Sequence, residues 1–277
     1  MHLNKDTVLC MSLSSRPGNF GTRFQNYLYE ALGLNFAYKA FTTDDLEGAV
    51  RGIRALKIRG CAISMPYKEK VIQYLDELDP SAQRIGAVNT IVNDQGFLRA
   101  YNTDYIAVHQ LLKESGVSTS ASVALFGSGG MAKAIAAALA ELQFKNVTVI
   151  ARNAETGLSM ADSYKFKHMF SFDELVAESG ENAKFDLLIN VTPIGMHPNP
   201  EKHRPFTAAL IEKSQVVFDA VGNPPETELI HYAKELGKKT ISGFEILVIQ
   251  AVEQFRMYTG VTPDQALVLK AAEHARG

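Results

Sequence analysis

Apolar positions along this chain switch repeatedly between strand-like runs and helical spacing. Residues 7–13 form a short apolar run of strand length, followed by the polar loop 14–19. From Phe24 to Leu32 apolar residues recur at helical intervals until Gly33 stops them. Phe36 to Phe41 reads as a second strand, and Thr42-Thr43-Asp44-Asp45 supplies caps for a helix through Leu56. Residues 61–65, between Gly60 and Pro66, read as a third strand. A helical pattern covers 68–78, and Pro80 starts a shorter one. Residues 90–93 and Phe97 to Tyr101, joined by Asp94-Gln95-Gly96, read as a β-hairpin. Strands alternating with helices predict an α/β fold with a mainly parallel sheet, to which the hairpin adds antiparallel strands.

A helical pattern over 104–112 leads to the loop 116–120, the region of the domain boundary. Residues 122–152 then form a strand, a glycine turn, an alanine-rich helix and a strand rich in β-branched residues. Gly127, Gly129 and Ala132 have the spacing G-x-G-x-x-A, in the context a dinucleotide site requires. Gly127 lets the chain turn out of the strand, Gly129 lets a pyrophosphate approach the backbone, and Ala132 keeps the helix close to the sheet. The helix start offers unpaired N–H groups and partial positive charge to an anion. At the tip of the second strand stands Arg152, within Ala151-Arg152-Asn153, where NAD-binding chains carry a carboxylate. A guanidinium suits a 2′-phosphate and favours NADP. Glu155 works against this, and Arg152 also reads as a solvated strand-end charge. Further strands are expected at 185–190, 215–219 and 239–241, and helices near 172–177 and 227–236. A long helical stretch runs from Gly243 towards the C-terminus.

Composition narrows the class. The 277 residues suffice for two modest domains. With 28 Lys and Arg against 30 Asp and Glu, the net charge of −2 gives no electrostatic case for nucleic acid or an anionic membrane. Cys10 and Cys61 sit in apolar runs and read as buried free thiols. No signal-peptide layout or membrane-length apolar run is present, and a cytoplasmic enzyme is the expectation. The seven histidines are scattered, and no metal site is expected.

Two further residues carry chemistry. Lys68 follows a strand end and opens a helix, as does Asp104 after the hairpin. Ligands of α/β sheets collect beyond the carboxyl ends of strands. A lysine there can stabilise and protonate the alkoxide left by hydride transfer to a ketone, and a carboxylate beside it would hold it charged. Taken singly, Lys68 also reads as a solvated helix-start charge and Asp104 as a helix cap.

These motifs together resemble the shikimate dehydrogenase family, and its divergent shikimate dehydrogenase-like branch most of all. The resemblance rests on Gly60 to Lys68 with its P-x-K, the intact Gly86-Ala87-Val88-Asn89-Thr90, Asn102-Thr103-Asp104, and Gly127-Ser128-Gly129-Gly130-Met131-Ala132 followed by Lys133. It also rests on Asn190-Val191-Thr192-Pro193-Ile194-Gly195-Met196 and on Gly243 through Leu247 to Gln250. The resemblance implies two domains: a substrate domain of 1–104 plus 243–277, to which a C-terminal helix returns, and an NADP-binding Rossmann domain of 105–242. It implies Lys68 and Asp104 as the catalytic pair, and Asn89, Gln250, Asn19, Thr22 and Ser64 at the substrate. It implies Gly127, Ser128, Gly129, Gly130, Met131, Ala132, Arg152, Asn190, Thr192, Met196 and Gly243 at the cofactor. Read alone, Asn89 also fits a turn cap, Gln250 an exposed helix position and Met196 a core position.

Three departures from the family pattern bear on specificity. The S-x-S-P element that grips the substrate carboxylate falls on Asn19-Phe20-Gly21-Thr22, with Ser12, Ser14 and Ser15 close in sequence. A substrate-holding tyrosine is replaced by Gly222. The basic cluster at the strand tip is thinned, with Ala151 at its first position and Thr156 near its second basic one. The expected activity is reversible reduction of 3-dehydroshikimate to shikimate with NADP. The alternatives are a quinate or related cyclohexane-carboxylate dehydrogenase using NAD or NADP, and a dinucleotide-binding sensor with vestigial turnover. Monomer and homodimer both fit the sequence.

Overall fold

The structure is a computed structural model that describes residues 3–169, 171, 174, 184–197 and 204–276. The helix expected at 172–177 lies almost wholly outside them. The chain forms two compact units, Met1–Thr103 with Val248–Gly277, and Asp104–Leu247.

The first unit is built on β1 (Val8–Leu13), β2 (Phe36–Phe41), β3 (Gly60–Ile63), β4 (Glu77–Leu78), β5 (Thr90–Asp94) and β6 (Phe97–Tyr101), in the order β2-β1-β3-β5-β6-β4. β1 runs parallel to β2 and β3, while the β5–β6 hairpin enters antiparallel. Gln95 and Gly96 close the hairpin, both with positive φ. Parallel register puts Cys10 level with Tyr38 and Gly60, and Met11 level with Cys61. Residues that are level share a face and successive ones alternate, so the two cysteines point to opposite sides. Both thiols are free and buried, and burial pushes Cys10 up to about 12 and Cys61 higher still. They are inert core residues.

The Cys61 face packs with Leu13 and Ile63 against Val50 and Ile53 of the helix Leu46–Ala55. On the Cys10 face stand Tyr29 of the helix Phe20–Ala31 and Phe255 and Tyr258 of the helix Gly243–Thr259, with the Tyr29 and Phe255 rings stacked at 5.4 Å. A Cβ at Gly60 would lie 2.2 Å from the Tyr258 ring, so the sheet admits that ring only over a glycine. Arg59 secures the end of the same helix. Its guanidinium donates to the carbonyls of Tyr258 (3.0 Å), Met257 (3.2 Å) and Asn93 (3.0 Å) and pairs with Asp94. The Tyr258 and Met257 carbonyls are among those that a helix end leaves without partners.

The second unit carries β7 (Ser122–Phe126), β8 (Asn146–Ile150), β9 (Lys167–Met169), β10 (Leu187–Asn190), β11 (Val216–Asp219) and β12 (Lys239–Ser242), all parallel, in the order β12-β11-β10-β7-β8-β9. That is the doubly wound order, with its switch point between β7 and β10. β7, β10 and β11 are apolar almost throughout and almost wholly buried, as strands covered on both faces must be.

Two expected helices are corrected. Over 68–78 only the single turn Tyr67–Lys70 and a 3₁₀ turn form before β4. Asp76 draws the chain into the sheet: its N–H donates to the Leu98 carbonyl, and its carboxylate accepts from Leu98 N and from Arg54, which holds that carboxyl below its usual range. The long C-terminal stretch is two helices, Gly243–Thr259 and Gln265–Arg276, broken at Gly260 (φ +73°) and by Pro263. The strand β9 and the helices Ala154–Tyr164 and Ala208–Lys213 carry no pattern that the sequence reading singled out.

Two glycines separate packing from propensity. Gly60→Ala is expected to lower stability by about 1–3 kcal/mol through the clash with Tyr258. Gly52→Ala, in the helix Leu46–Ala55 with open space around its Cβ, is expected to raise it by about 0.5–1 kcal/mol. Urea denaturation of both variants checks the signs.

Candidate active site

The glycine turn leaves β7 at Gly127, whose φ is +122° and whose Cβ would come within 2.8 Å of Val191. Only glycine meets both conditions. Its N–H donates to the Ile150 carbonyl of β8 (2.9 Å). Gly129 precedes the helix Gly130–Glu141 and puts no side chain on the first N–H groups. A Cβ at Gly129 or Gly130 would meet nothing within 4 Å, so the turn presents bare backbone to open space. Met131 is half-buried, and Ala132 is fully buried where the helix meets the sheet. This cradle fits a pyrophosphate. Ser128 Oγ lies 2.7 Å from Thr156 Oγ1, tying the turn to the start of the helix Ala154–Tyr164 that follows β8. Asn153 caps that helix through Thr156 N (3.1 Å). Arg152 is exposed and bonds to none of the described residues.

Buried amide chemistry shapes the ends of β10 and β11. Asn190 is fully buried; its Oδ1 accepts from Thr192 N (3.0 Å) and Thr192 Oγ1 (2.7 Å), and its Nδ2 donates to Asp219 (2.9 Å). Asp219 also accepts from Val221 N and Thr227 Oγ1. Burial raises the Asp219 carboxyl above its usual range, against the bonds from Thr227, Val221 and Asn190 that favour its charge. Asn190 thus holds the 190–196 turn, while Met196, 43% exposed, is presented by that turn and is no core residue. Gly243 is fixed by sterics: its Cβ would lie 2.4 Å from the Val221 backbone. A Cβ at Gly222 would make only ordinary contact, 3.5 Å from the Gly243 carbonyl, so a side chain is accommodated there.

In the first unit Asn89 is buried, and its amide oxygen is fully engaged. Its Oδ1 accepts from Thr103 N (2.7 Å), Thr103 Oγ1 (3.1 Å) and Thr90 Oγ1 (2.9 Å), and its Nδ2 donates to Gln250 Oε1 (3.2 Å). That leaves the Gln250 amide NH₂ facing outward from the pair. Gln254, one turn further along the same helix, donates to Thr90 Oγ1 (3.1 Å). Sequence reading missed Thr90, Thr103 and Gln254 as supports, although Thr90 and Thr103 stand inside quoted motifs and Gln254 follows Gln250 by four residues. Asn89 is more than a turn cap, and Gln250 is no solvated helix residue.

The loop after β1 is zipped to the turn that carries Lys68. Ser64 N donates to the Leu13 carbonyl (2.9 Å) and Ser15 N to that of Met65 (3.1 Å). Ser12 is bonded to Tyr38, Ser14 Oγ accepts from Arg16 N, and Ser15 Oγ leans on the Met65 carbonyl. The side chains of Asn19, Thr22 and Ser64 bond to none of the described residues; Asn19 and Ser64 are exposed and Thr22 is half-buried. Lys68 is half-buried in the turn Tyr67–Lys70, and its carbonyl accepts from Val88 N (2.8 Å), one residue before Asn89. Asp104 is buried in the first turn of the helix Thr103–Glu114 and is not its cap residue. Among the described residues no group of three or more His, Cys, Asp or Glu gathers as a metal site, and no helix is long and apolar enough to cross a membrane.

A glycine cradle at the switch point of an all-parallel sheet defines a dinucleotide-binding α/β unit, and the first unit by itself carries an amide pair and a lysine near the ends of β3 and β5. Residues 20–91 match the shikimate dehydrogenase substrate binding domain, and residues 110–195 match shikimate / quinate 5-dehydrogenase. A shikimate dehydrogenase-like protein of Haemophilus influenzae is 52% identical over 99% of this chain and 98% of its own. An NADP(+) shikimate dehydrogenase of Methanothermobacter thermautotrophicus is 36% identical over 86% of each chain. The crystal structure of a Thermus thermophilus shikimate 5-dehydrogenase in complex with NADP(H) and shikimate superposes with a TM-score of 0.82 at 29% identity, covering 97% of this chain and 99% of that one. The chain belongs to the shikimate dehydrogenase family, oxidoreductases that act on a CH–OH donor.

The raised Asp219 carboxyl has a pH consequence. A group whose folded pKa lies above its unfolded value stabilises the fold below the unfolded value, about 3.9 for Asp, and that contribution is lost as pH rises through the folded value. Asp219→Asn keeps the acceptor for Asn190 and removes the titration. Its stability relative to the parent protein is therefore expected to improve from about pH 4 to pH 7. Urea midpoints across that range check it.

Proposed function

We propose that this protein interconverts 3-dehydroshikimate and shikimate by hydride transfer with NADP. The observation that carries this reading is the Asn89–Gln250 pair, anchored by Thr103 and linked through Val88 to the backbone of Lys68. An amide just before β5, a second on the helix Gly243–Thr259 and an amine in the turn after β3 suit a polyhydroxylated ring with one reacting hydroxyl. Asn89, Gln250 and Ser64 hold the ring hydroxyls. Asn19 and Thr22 supply the carboxylate donors in place of the family's serines.

Gly127 to Ala132 hold the pyrophosphate of the dinucleotide on bare backbone N–H groups, and Arg152 meets the 2′-phosphate. When bound, the nicotinamide supplies or accepts the hydride. In reduction, the carbonyl oxygen gains negative charge as its carbon gains the hydride, and the Lys68 ammonium stabilises that charge and gives up one proton to form the hydroxyl. In oxidation, neutral Lys68 takes the hydroxyl proton as the carbon loses the hydride. Asp104 serves as the partner that keeps the Lys68 side chain oriented.

Gly222 favours a second reading, in which the physiological acid is quinate or a related cyclohexane carboxylate bulkier than shikimate, turned over with NADP or NAD. The space at its Cβ leaves room where the family holds a substrate-binding tyrosine.

Initial rates on shikimate and quinate, each with NADP and NAD, test both readings; shikimate with NADP is expected to saturate at the lowest concentrations. Lys68→Ala is expected to lower kcat by about 10²–10⁴-fold with cofactor binding retained. Undiminished turnover would remove Lys68 from the chemistry. Gly222→Tyr is expected to lower KM for shikimate by about tenfold, the worth of one added hydrogen bond. A rise in that KM, with quinate turnover reduced as well, would assign the space to the larger acid.

A further inference from the structure

We infer that Tyr67 is a positioning residue for Lys68, acting as a latch between the Lys68 turn and the loop after β2; the inference rests on the acid–base reading of Lys68. The turn Tyr67–Lys70 is four residues long, and so short a helix cannot hold its own direction. Its base is fixed by backbone bonds, Tyr67 N to the Ser64 carbonyl (2.9 Å) and Val88 N to the Lys68 carbonyl (2.8 Å). Its outer side is held by a phenol. The Tyr67 ring packs against the core around Ile53 and Ile63, and its Oη donates to the Thr43 carbonyl at 2.6 Å.

That carbonyl belongs to a loop that is itself pinned. Thr43 Oγ1 donates to the Asp45 carbonyl and accepts from Asp45 N, both at 3.0 Å. Asp45 Oδ1 accepts from Gly48 N at 2.7 Å and so caps the helix Leu46–Ala55. A Cβ at Gly48 would lie 2.1 Å from Asp45 Oδ2, so a side chain there would displace the capping carboxylate. One run of bonds therefore passes from the helix start through Asp45, Thr43 and Tyr67 to the residue beside Lys68. The hydrogen bonds of Thr43, Asp45 and Gly48 named here go to none of the residues assigned to substrate or cofactor, yet they set where the Tyr67 ring ends.

Tyr67→Phe removes the bond and keeps the ring. It is expected to lower kcat about tenfold, because small misplacements of a catalytic group are costly in rate, while KM for NADP stays unchanged. Gly48→Ala, which displaces Asp45 from a distance, is expected to lower kcat in the same direction. The double variant is expected to lose no more than the larger single loss, because both act through one chain of contacts. A second readout is independent of turnover. In protein whose lysines are reductively methylated with ¹³C, the Lys68 resonance, assigned with Lys68→Arg, is expected to broaden or shift in Tyr67→Phe and Gly48→Ala. An unchanged kcat together with an unchanged Lys68 resonance overturns the latch, as does a loss of stability with both unchanged. Full activity in Lys68→Ala would overturn the acid–base reading instead, and the resonance would still report whether the latch holds the side chain.

Discussion

Both units depend on a buried asparagine whose side chain stands in for backbone. Asn89 and Asn190 each use the amide oxygen to gather N–H and hydroxyl donors from the segment that carries the next functional residue, and each uses the amide nitrogen to reach a second segment. Burying such a group unpaired would cost about 1–3 kcal/mol, so the loops are held to the geometry that satisfies it. Loops at strand ends are ordinarily the most variable part of an α/β protein. Here they are made rigid from within, by polar groups that cannot afford to lose a partner.

Most strands of the two sheets and the cradle were legible because they rest on local rules; the edge strands β4 and β9 were not. The apolar run of β7, the glycine turn and the alanine-rich helix each state a steric requirement that the structure repeats at Gly127 and Ala132. The hairpin was equally plain from Asp94-Gln95-Gly96. What was not legible depended on distant partners. The pattern over 68–78 is helical in spacing, but Arg54 and Leu98 claim Asp76 and draw the segment into the sheet. Gln254 reads as a polar helix residue until Thr90 is placed beside it. Lys68 and Asp104 stood out because each follows a strand end, whereas the phenol between Pro66 and Lys68 gave no signal in spacing alone.

The departures from the family pattern at Asn19, Thr22 and Gly222 fall where no side chain is tied into these scaffolds. Asn19 and Thr22 make no internal bonds, Gly222 leaves room for a side chain, and Arg152 stands clear of carboxylate partners among the described residues. The supporting amides, the cradle and the steric glycines are intact. Specificity can therefore drift at such positions with little cost to the fold, because nothing structural is written through them.

The path of the chain through the first unit has a consequence for how the protein comes into being. Gln25 bonds to Ala251 across 226 residues and Arg59 to Tyr258 across 199. Phe255 and Tyr258, which cover part of the Cys10 face beside Tyr29, follow the whole of the second unit in sequence. During synthesis the second unit can complete itself while β1 and β3 wait with one side partly bare. Closing that side is a long-range event of the kind that slows folding and leaves apolar surface open to the wrong partner. The tight seat of Tyr258 over Gly60 can then be filled only after the second unit has been synthesised.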